Sequence, residues 1–170
     1  WKRIQTMTMA FGHGIAVSPV NMASAVSSLI YDGNWRQPHL VADAKRPEPQ
    51  RVVSRKTVLA MRDIMKTVVE EGTGTNAQVK GYNIGGKTGT AEKIVNGEYD
   101  RNKNLASFVG VVPLDNPKLV ALIMVDEGYK ENGEGAGGGA VSAPAFARFV
   151  QRAAPILGIA PQTSQNLMAK

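Results

Sequence analysis

The chain has 170 residues, 43% of them hydrophobic and 20% charged, with a formal net charge of +6 and no cysteine. That length carries one domain with a real core, and the missing cysteines exclude a disulfide framework and any thiolate metal site. The basic residues stand singly or in pairs (Lys45-Arg46, Arg55-Lys56, Arg101, Lys103, Arg148, Arg152) among acidic ones, without interleaved aromatics, so no nucleic-acid partner is expected.

The chain opens on Trp1 with no leader pattern, and it reads as a piece of something longer. Residues 1–10 are mixed and give no clear element. Phe11-Gly12-His13-Gly14 is a glycine-punctuated turn. Ser18-Pro19 then predicts a helix start, with serine as cap and proline at the first helical position. Val20, Ala23, Ser24, Ser27 and Ile30 or Tyr31 recur at helical spacing, and Gly33 stands just past the end. The serines of this helix are expected to pack, not to react. Pro38, Pro47 and Pro49 mark an extended stretch with a short strand predicted over 38–41. A second helix is predicted from Ser54 to Glu71, with Val58, Met61, Ile64 or Met65, and Val68 on one face. Gly72-Thr73-Gly74-Thr75 follows as a hydroxyl-bearing loop that does not meet the phosphate-loop pattern.

Residues 81–93, GYNIGGKTGTAEK, hold the densest chemistry: Lys87-Thr88-Gly89-Thr90 puts a cation, two hydroxyls and a bare backbone position side by side. β-branched and aromatic neighbours predict a strand, on which Lys87 and Gly89 share one face and Thr88 and Thr90 the other. On an edge strand, unpaired N–H groups can grip a carbonyl or an extended peptide. Asn96-Gly97 predicts a hairpin into a strand over 105–112. A proline-flanked turn at 113–117 leads to a nearly continuous apolar strand over 118–126, which predicts burial on both faces and no place at a solvent-exposed edge. Its run 119–125 is far too short to span a bilayer. Residues 127–140 contain six glycines and no evident core former, which predicts a mobile loop. Ser142 and Pro144 open a last helix with Phe146, Phe149, Val150 and Ala153 inward, and from Pro161 the tail is polar. The expected architecture is α+β: an antiparallel meander of at least three strands covered by helices.

For metal chemistry there are only His13 and His39, without ligand spacing, and Asp126-Glu127 reads as a solvated strand end. No metal and no cofactor are expected.

Six pieces in one order carry a resemblance: residues 11–19 (FGHGIAVSP), Tyr31-Asp32-Gly33, Gly72-Thr73-Gly74-Thr75, residues 86–91 (GKTGTA), residues 106–110 (ASFVG) and Asp115-Asn116-Pro117. Together they resemble the C-terminal half of the transpeptidase domain of class B penicillin-binding proteins, most like the division-specific septal enzyme. The resemblance implies a partial penicillin-binding/serine β-lactamase-like fold over residues 1–158, with a flexible tail at 159–170. It implies a peptidoglycan D,D-transpeptidase that cross-links D-Ala-D-Ala stem peptides through an acyl-serine and is acylated by β-lactams. It also implies a place at the inner membrane, this domain on the periplasmic side, with the anchor in a preceding part, and contacts with other cell-division or cell-wall proteins.

By the same resemblance, Lys87 is a buried cation at the site floor. The Thr88 and Thr90 hydroxyls, with Gly89 between them, bind the substrate carboxylate, and the Thr90 N–H is an oxyanion donor. Lys87 and Thr90 are thus the catalytic residues expected here. The chain departs from the family in having no S-x-x-K, hence no nucleophile, and its one S-x-N match, Ser164-Gln165-Asn166, is out of order. It therefore carries half of a site and is expected to be inactive alone. A serine β-lactamase-type hydrolase and a non-catalytic cell-wall or partner-binding domain remain alternatives, decided by whether S-x-x-K and S-x-N occur before Trp1.

Overall fold

The computed structural model describes residues 2–10, 12, 14–42 and 45–162. A short helix α1 (Arg3–Met9) occupies the opening segment that gave no clear pattern. Helix α2 (Pro19–Ile30) starts where expected: the Asn21 N–H donates to the Ser18 hydroxyl at 3.3 Å, and Pro19 fills a position whose N–H would have no partner. It ends as Gly33, at φ +86°, turns its N–H back to the Ser28 carbonyl. Its buried face differs from the expected one. Val26, Ser28 and Ile30 point inward, whereas Val20 and Tyr31 are exposed, because only the C-terminal half of the helix meets the sheet. No strand forms at 38–41, where Leu40 is wholly exposed; instead β1 (Asn34–Trp35) pairs with β2 (Gln50–Arg51), and the prolines lie in the loop between them. Helix α3 (Arg55–Glu70) is capped by Ser54 and buries Val58, Met65 and Val69.

Strand β3 (Gly85–Val95) turns at Asn96 (φ 53°) and Gly97 (φ 89°) into β4 (Glu98–Val112), and both left-handed residues match the twist of the flanking strands. Strand β5 (Leu119–Asp126) completes an antiparallel sheet in the order β3-β4-β5, with Thr88 opposite Phe108 and Phe108 opposite Ile123. The expected meander is present, but β5 is not buried on both faces. It forms an edge of the described sheet, is half-buried along most of its length, and leaves Met124 43% exposed. Its two faces do meet helices; its outer edge has no strand beside it among the described residues.

Three layers result. On one face Val109 and Val111 of β4, with Val120 and Leu122 of β5, pack on Val26 and Ile30 of α2 and Met65 of α3. On the other, Phe108, Val112, Leu119 and Ile123 pack on helix α4 (Ser142–Ile156) through Ala143, Phe146, Val150 and Ala154. Phe149, expected inward, is 38% exposed, and Ala147 and Ala154 take the inner positions with Phe146 and Val150. The Phe146 ring lies 5.1 Å from that of Phe108, centroid to centroid, directly over Gly110. A Cβ added at Gly110 would collide with that ring, so Gly110→Ala should lower stability by about 1–3 kcal/mol in chemical denaturation. An unchanged midpoint would mean that the ring moves aside freely.

Arg62 ties the helical layer to the sheet. Its guanidinium donates to the carbonyls of Ile30 at 2.6 Å, Asp115 at 2.9 Å and Tyr31 at 3.0 Å, closing off the end of α2.

The glycine-rich stretch is not free of core contacts. Residues 130–134 form an exposed tip, but Ala136 and Gly138 are buried, Ala136 N–H donates to the Gly128 carbonyl, and Tyr129 bridges to Gly135. Beyond α4, Ile159 is buried, the Tyr82 hydroxyl donates to its carbonyl, and Gln162 bonds Gly81 and the Asp115 carboxylate. The anchored chain thus continues through Gln162, past Pro161, where a loose tail was expected.

Candidate active site

Lys87, Thr88, Gly89 and Thr90 lie in the middle of β3, whose outer edge has no partner strand among the described residues. In an antiparallel pair, alternate residues turn their N–H and C=O groups away from the partner strand, so β3 offers a row of backbone donors and acceptors along that edge. The register explains the side-chain placement. Lys87 and Gly89 lie opposite Val109 and Ser107 on the α2/α3 face, and Thr88 and Thr90 lie opposite Phe108 and Ala106 on the α4 face.

Lys87 is exposed here, not buried at a floor. Its ammonium donates to the Thr88 carbonyl at 2.8 Å and keeps two further donors to offer. The helices of that layer pack on Val109 and Val111 of the neighbouring strand, and nothing among the described residues covers the lysine. Beside it, the bare Gly89 leaves room for the Ser107 hydroxyl, which would lie 2.5 Å from a Cβ at that position.

On the other face the two threonines are held by loops from both sides. The Thr88 hydroxyl is 2.7 Å from that of Thr73, in the loop after α3. The Thr90 hydroxyl accepts the Gly138 N–H at 3.2 Å, which leaves its own O–H to donate outward. The two loops also hold each other, because the Asn76 side-chain amide donates to the Gly139 carbonyl at 2.9 Å. The glycines of residues 137–139 make this contact possible. A side chain at Gly138 would run into the backbone oxygen of Ser107 and lie 2.6 Å from that of Gly89. Sequence reasoning placed Thr73 in a hydroxyl-bearing loop counted among the pieces of the resemblance, with no role at the site, and the three glycines in a mobile loop. The signal that both belong to this site is spatial.

Other candidates separate from the site. His39 is exposed, with its Nδ1 3.5 Å from the Gln37 carbonyl, and His13 lies outside the described residues, as does Ser164-Gln165-Asn166. Asp126 and Glu127 both pair with Lys93, at 2.7 and 3.0 Å, and clamp the ends of β3 and β5; the two carboxylates hold the lysine's pKa above its ordinary value. No group of three His, Cys, Asp or Glu among the described residues is placed to hold a metal ion. One hollow of about 400 Å³ lies away from this strand, between the end of α2 and residues 116–120. The candidate site is an open strand edge between two loops.

A family model described as the penicillin binding protein transpeptidase domain matches residues 1–151. The chain is 36% identical to the probable peptidoglycan D,D-transpeptidase PenA of Neisseria meningitidis, over 95% of this chain and 27% of that protein. It is likewise 36% identical to the probable peptidoglycan D,D-transpeptidase FtsI of Caulobacter vibrioides, over 96% of this chain and 30% of that protein. Among solved structures, the apo transpeptidase domain of Burkholderia pseudomallei penicillin-binding protein 3 superposes with a TM-score of 0.79 at 38% identity, covering 96% of this chain and 49% of that one. The chain thus spans less than a third of the length of these curated relatives and about half of the solved domain. With that family model matching residues 1–151, the chain belongs to the penicillin-binding protein transpeptidase domain family.

Proposed function

We propose that residues 1–158 are the C-terminal portion of the transpeptidase domain of a class B penicillin-binding protein, a peptidoglycan D,D-transpeptidase acting in septal cell-wall synthesis. The observation that carries this reading is the Lys87-Thr88-Gly89-Thr90 edge, with an exposed lysine on one side and two anchored hydroxyls on the other. An extended D-Ala-D-Ala stem peptide adds along such an edge as a further strand. Its terminal carboxylate accepts from the Thr88 and Thr90 hydroxyls, beside the Lys87 charge.

The nucleophilic serine belongs to the part of the protein outside this chain. Its oxygen attacks the penultimate D-alanyl carbonyl; the peptide bond breaks, terminal D-alanine leaves with the proton, and the acyl-serine ester passes to the amine of a second stem peptide. The Thr90 N–H steadies the oxyanion formed in each half. A β-lactam carries a carboxylate beside its reactive amide and is held at the ester stage. No helix among the described residues is long and apolar enough to cross a membrane. We place the anchor in the part outside this chain, this domain on the outer side of the inner membrane, and the contacts with other division proteins on the assembled enzyme. The open β5 edge supports a partial domain, since an apolar edge strand calls for a covering strand.

A fluorescent penicillin tests the reading. The full-length protein should be labelled covalently, and the present chain alone should not, as read by gel fluorescence and intact mass. A full-length protein that does not label would favour a non-catalytic domain, and rapid release of the label would favour a hydrolase.

A further inference from the structure

The Gly72-Thr73-Gly74-Thr75 loop has no part in the function proposed above, yet it touches the site. We infer that Thr73 is a positioning residue for carboxylate recognition, acting through Thr88; the inference rests on the transpeptidase reading of the β3 edge. Thr73 and Thr88 hydroxyls stand 2.7 Å apart, and either oxygen can be the donor in the free protein. A bound carboxylate removes that freedom. A carboxylate only accepts, so Thr88 must turn its single O–H toward it, and the Thr73 O–H must then donate to the Thr88 oxygen. The result is a chain, Thr73 O–H to Thr88 oxygen and Thr88 O–H to carboxylate, in which each bond polarises the next.

The loop is built to hold Thr73 in place. The Gly74 N–H donates to the Val68 carbonyl at the end of α3, and Asn76 is tied to Gly139. Gly139 in turn passes so near the Thr73 carbonyl that a Cβ there would lie 2.5 Å from its oxygen. Thr73 is therefore fixed by a helix on one side and, on the other, by the loop of residues 137–139 that also contacts Thr90. Thr90 has its own anchor in the Gly138 N–H, so the two hydroxyls that face the ligand are each oriented by a separate partner.

The test compares two ligands on one protein. In the full-length protein, second-order acylation rates are measured with benzylpenicillin and with its methyl ester, which lacks the carboxylate charge. Thr73→Val should slow acylation by benzylpenicillin roughly 3- to 10-fold, the worth of one neutral hydrogen bond, and slow that by the ester clearly less, because an uncharged ester oxygen is the weaker acceptor. Thr73→Ser should restore the benzylpenicillin rate. Because the readout is the ratio of two rates on the same active fraction, partial misfolding does not move it. Equal slowing with both ligands, or no slowing with either, overturns the inference and leaves the transpeptidase reading standing. A wild-type protein that neither ligand acylates overturns that reading and the inference with it.

Discussion

Replacing Thr90 by proline in the full-length protein should reduce acylation by penicillin more than replacing it by valine. Valine keeps the N–H and removes the hydroxyl. That hydroxyl is expected to donate to the ligand carboxylate, a bond to a charged group worth about 1.5–3 kcal/mol, or roughly 10- to 150-fold in rate. It also accepts the N–H of buried Gly138, so valine leaves that donor without its partner. Proline removes all of this and the N–H as well, and loss of one oxyanion donor typically costs ~10²–10³ in rate. Thr90→Ser, which keeps both hydroxyl functions, should stay near wild type.

Folding supplies a second readout. If the Thr90 N–H points out of the sheet, as an oxyanion donor must, proline removes no ladder bond and an edge strand tolerates it. Thermal melting of the proline variant should then stay close to that of the valine variant. A folded proline variant that acylates as fast as the valine one removes Thr90 as the oxyanion donor. A proline variant that melts far below the valine one places that N–H inside the β3-β4 ladder, with the same consequence.

The second large effect is expected at Gly138. A valine there would drive its Cβ into the Ser107 carbonyl and against the Gly89 backbone, neither of which can swing aside as a side chain could. The loop must lift, and lifting breaks the Gly138 contact to Thr90 and strains the Asn76 contact to Gly139. Misplacement of a binding group by about 1 Å can cost ~10²-fold in rate, and acylation should fall by about that much. Hydrogen exchange should show loss of protection at Ala136, whose N–H is bonded to Gly128 in the closed loop. Glu131→Ala at the exposed tip should change neither quantity. Unchanged acylation in Gly138→Val would show that the loop does not shape the binding edge.

The contrast at Gly138 explains what was legible in the sequence and what was not. Caps, turns and strand order depend on residues close together in the chain. Ser18-Pro19, Ser54 and Asn96-Gly97 therefore placed helix starts and the hairpin, and the motif order led to the family. Glycine is ambiguous in one dimension, because the same residue permits mobility and permits close approach. The 137–139 glycines serve the second purpose, which only their neighbours Ser107, Gly89 and Thr73 reveal.

Burial was misread where it depends on a partner layer. Periodicity placed Phe146 and Val150 of α4 inward, as they are, but also Phe149, which is exposed while Ala147 and Ala154 take the inner positions; on α2 the buried residues lie only in its C-terminal half. The apolar run of β5 reported burial correctly in kind and wrongly in degree, since no strand among the described residues covers its edge. Lys87 was expected to be buried because the resemblance implied a closed site floor, whereas among the described residues nothing covers it.

The central claim is that the Lys87–Thr90 edge holds the acylating ligand while the nucleophile comes from elsewhere in the protein. The most direct test is a structure of the full-length protein acylated by benzylpenicillin. The account predicts the ligand carboxylate at the Thr88 and Thr90 hydroxyls, the ester carbonyl oxygen at the Thr90 N–H, and the acyl group on a serine outside this chain. A ligand bound away from the β3 edge, or an ester on any serine of these 170 residues, would contradict it.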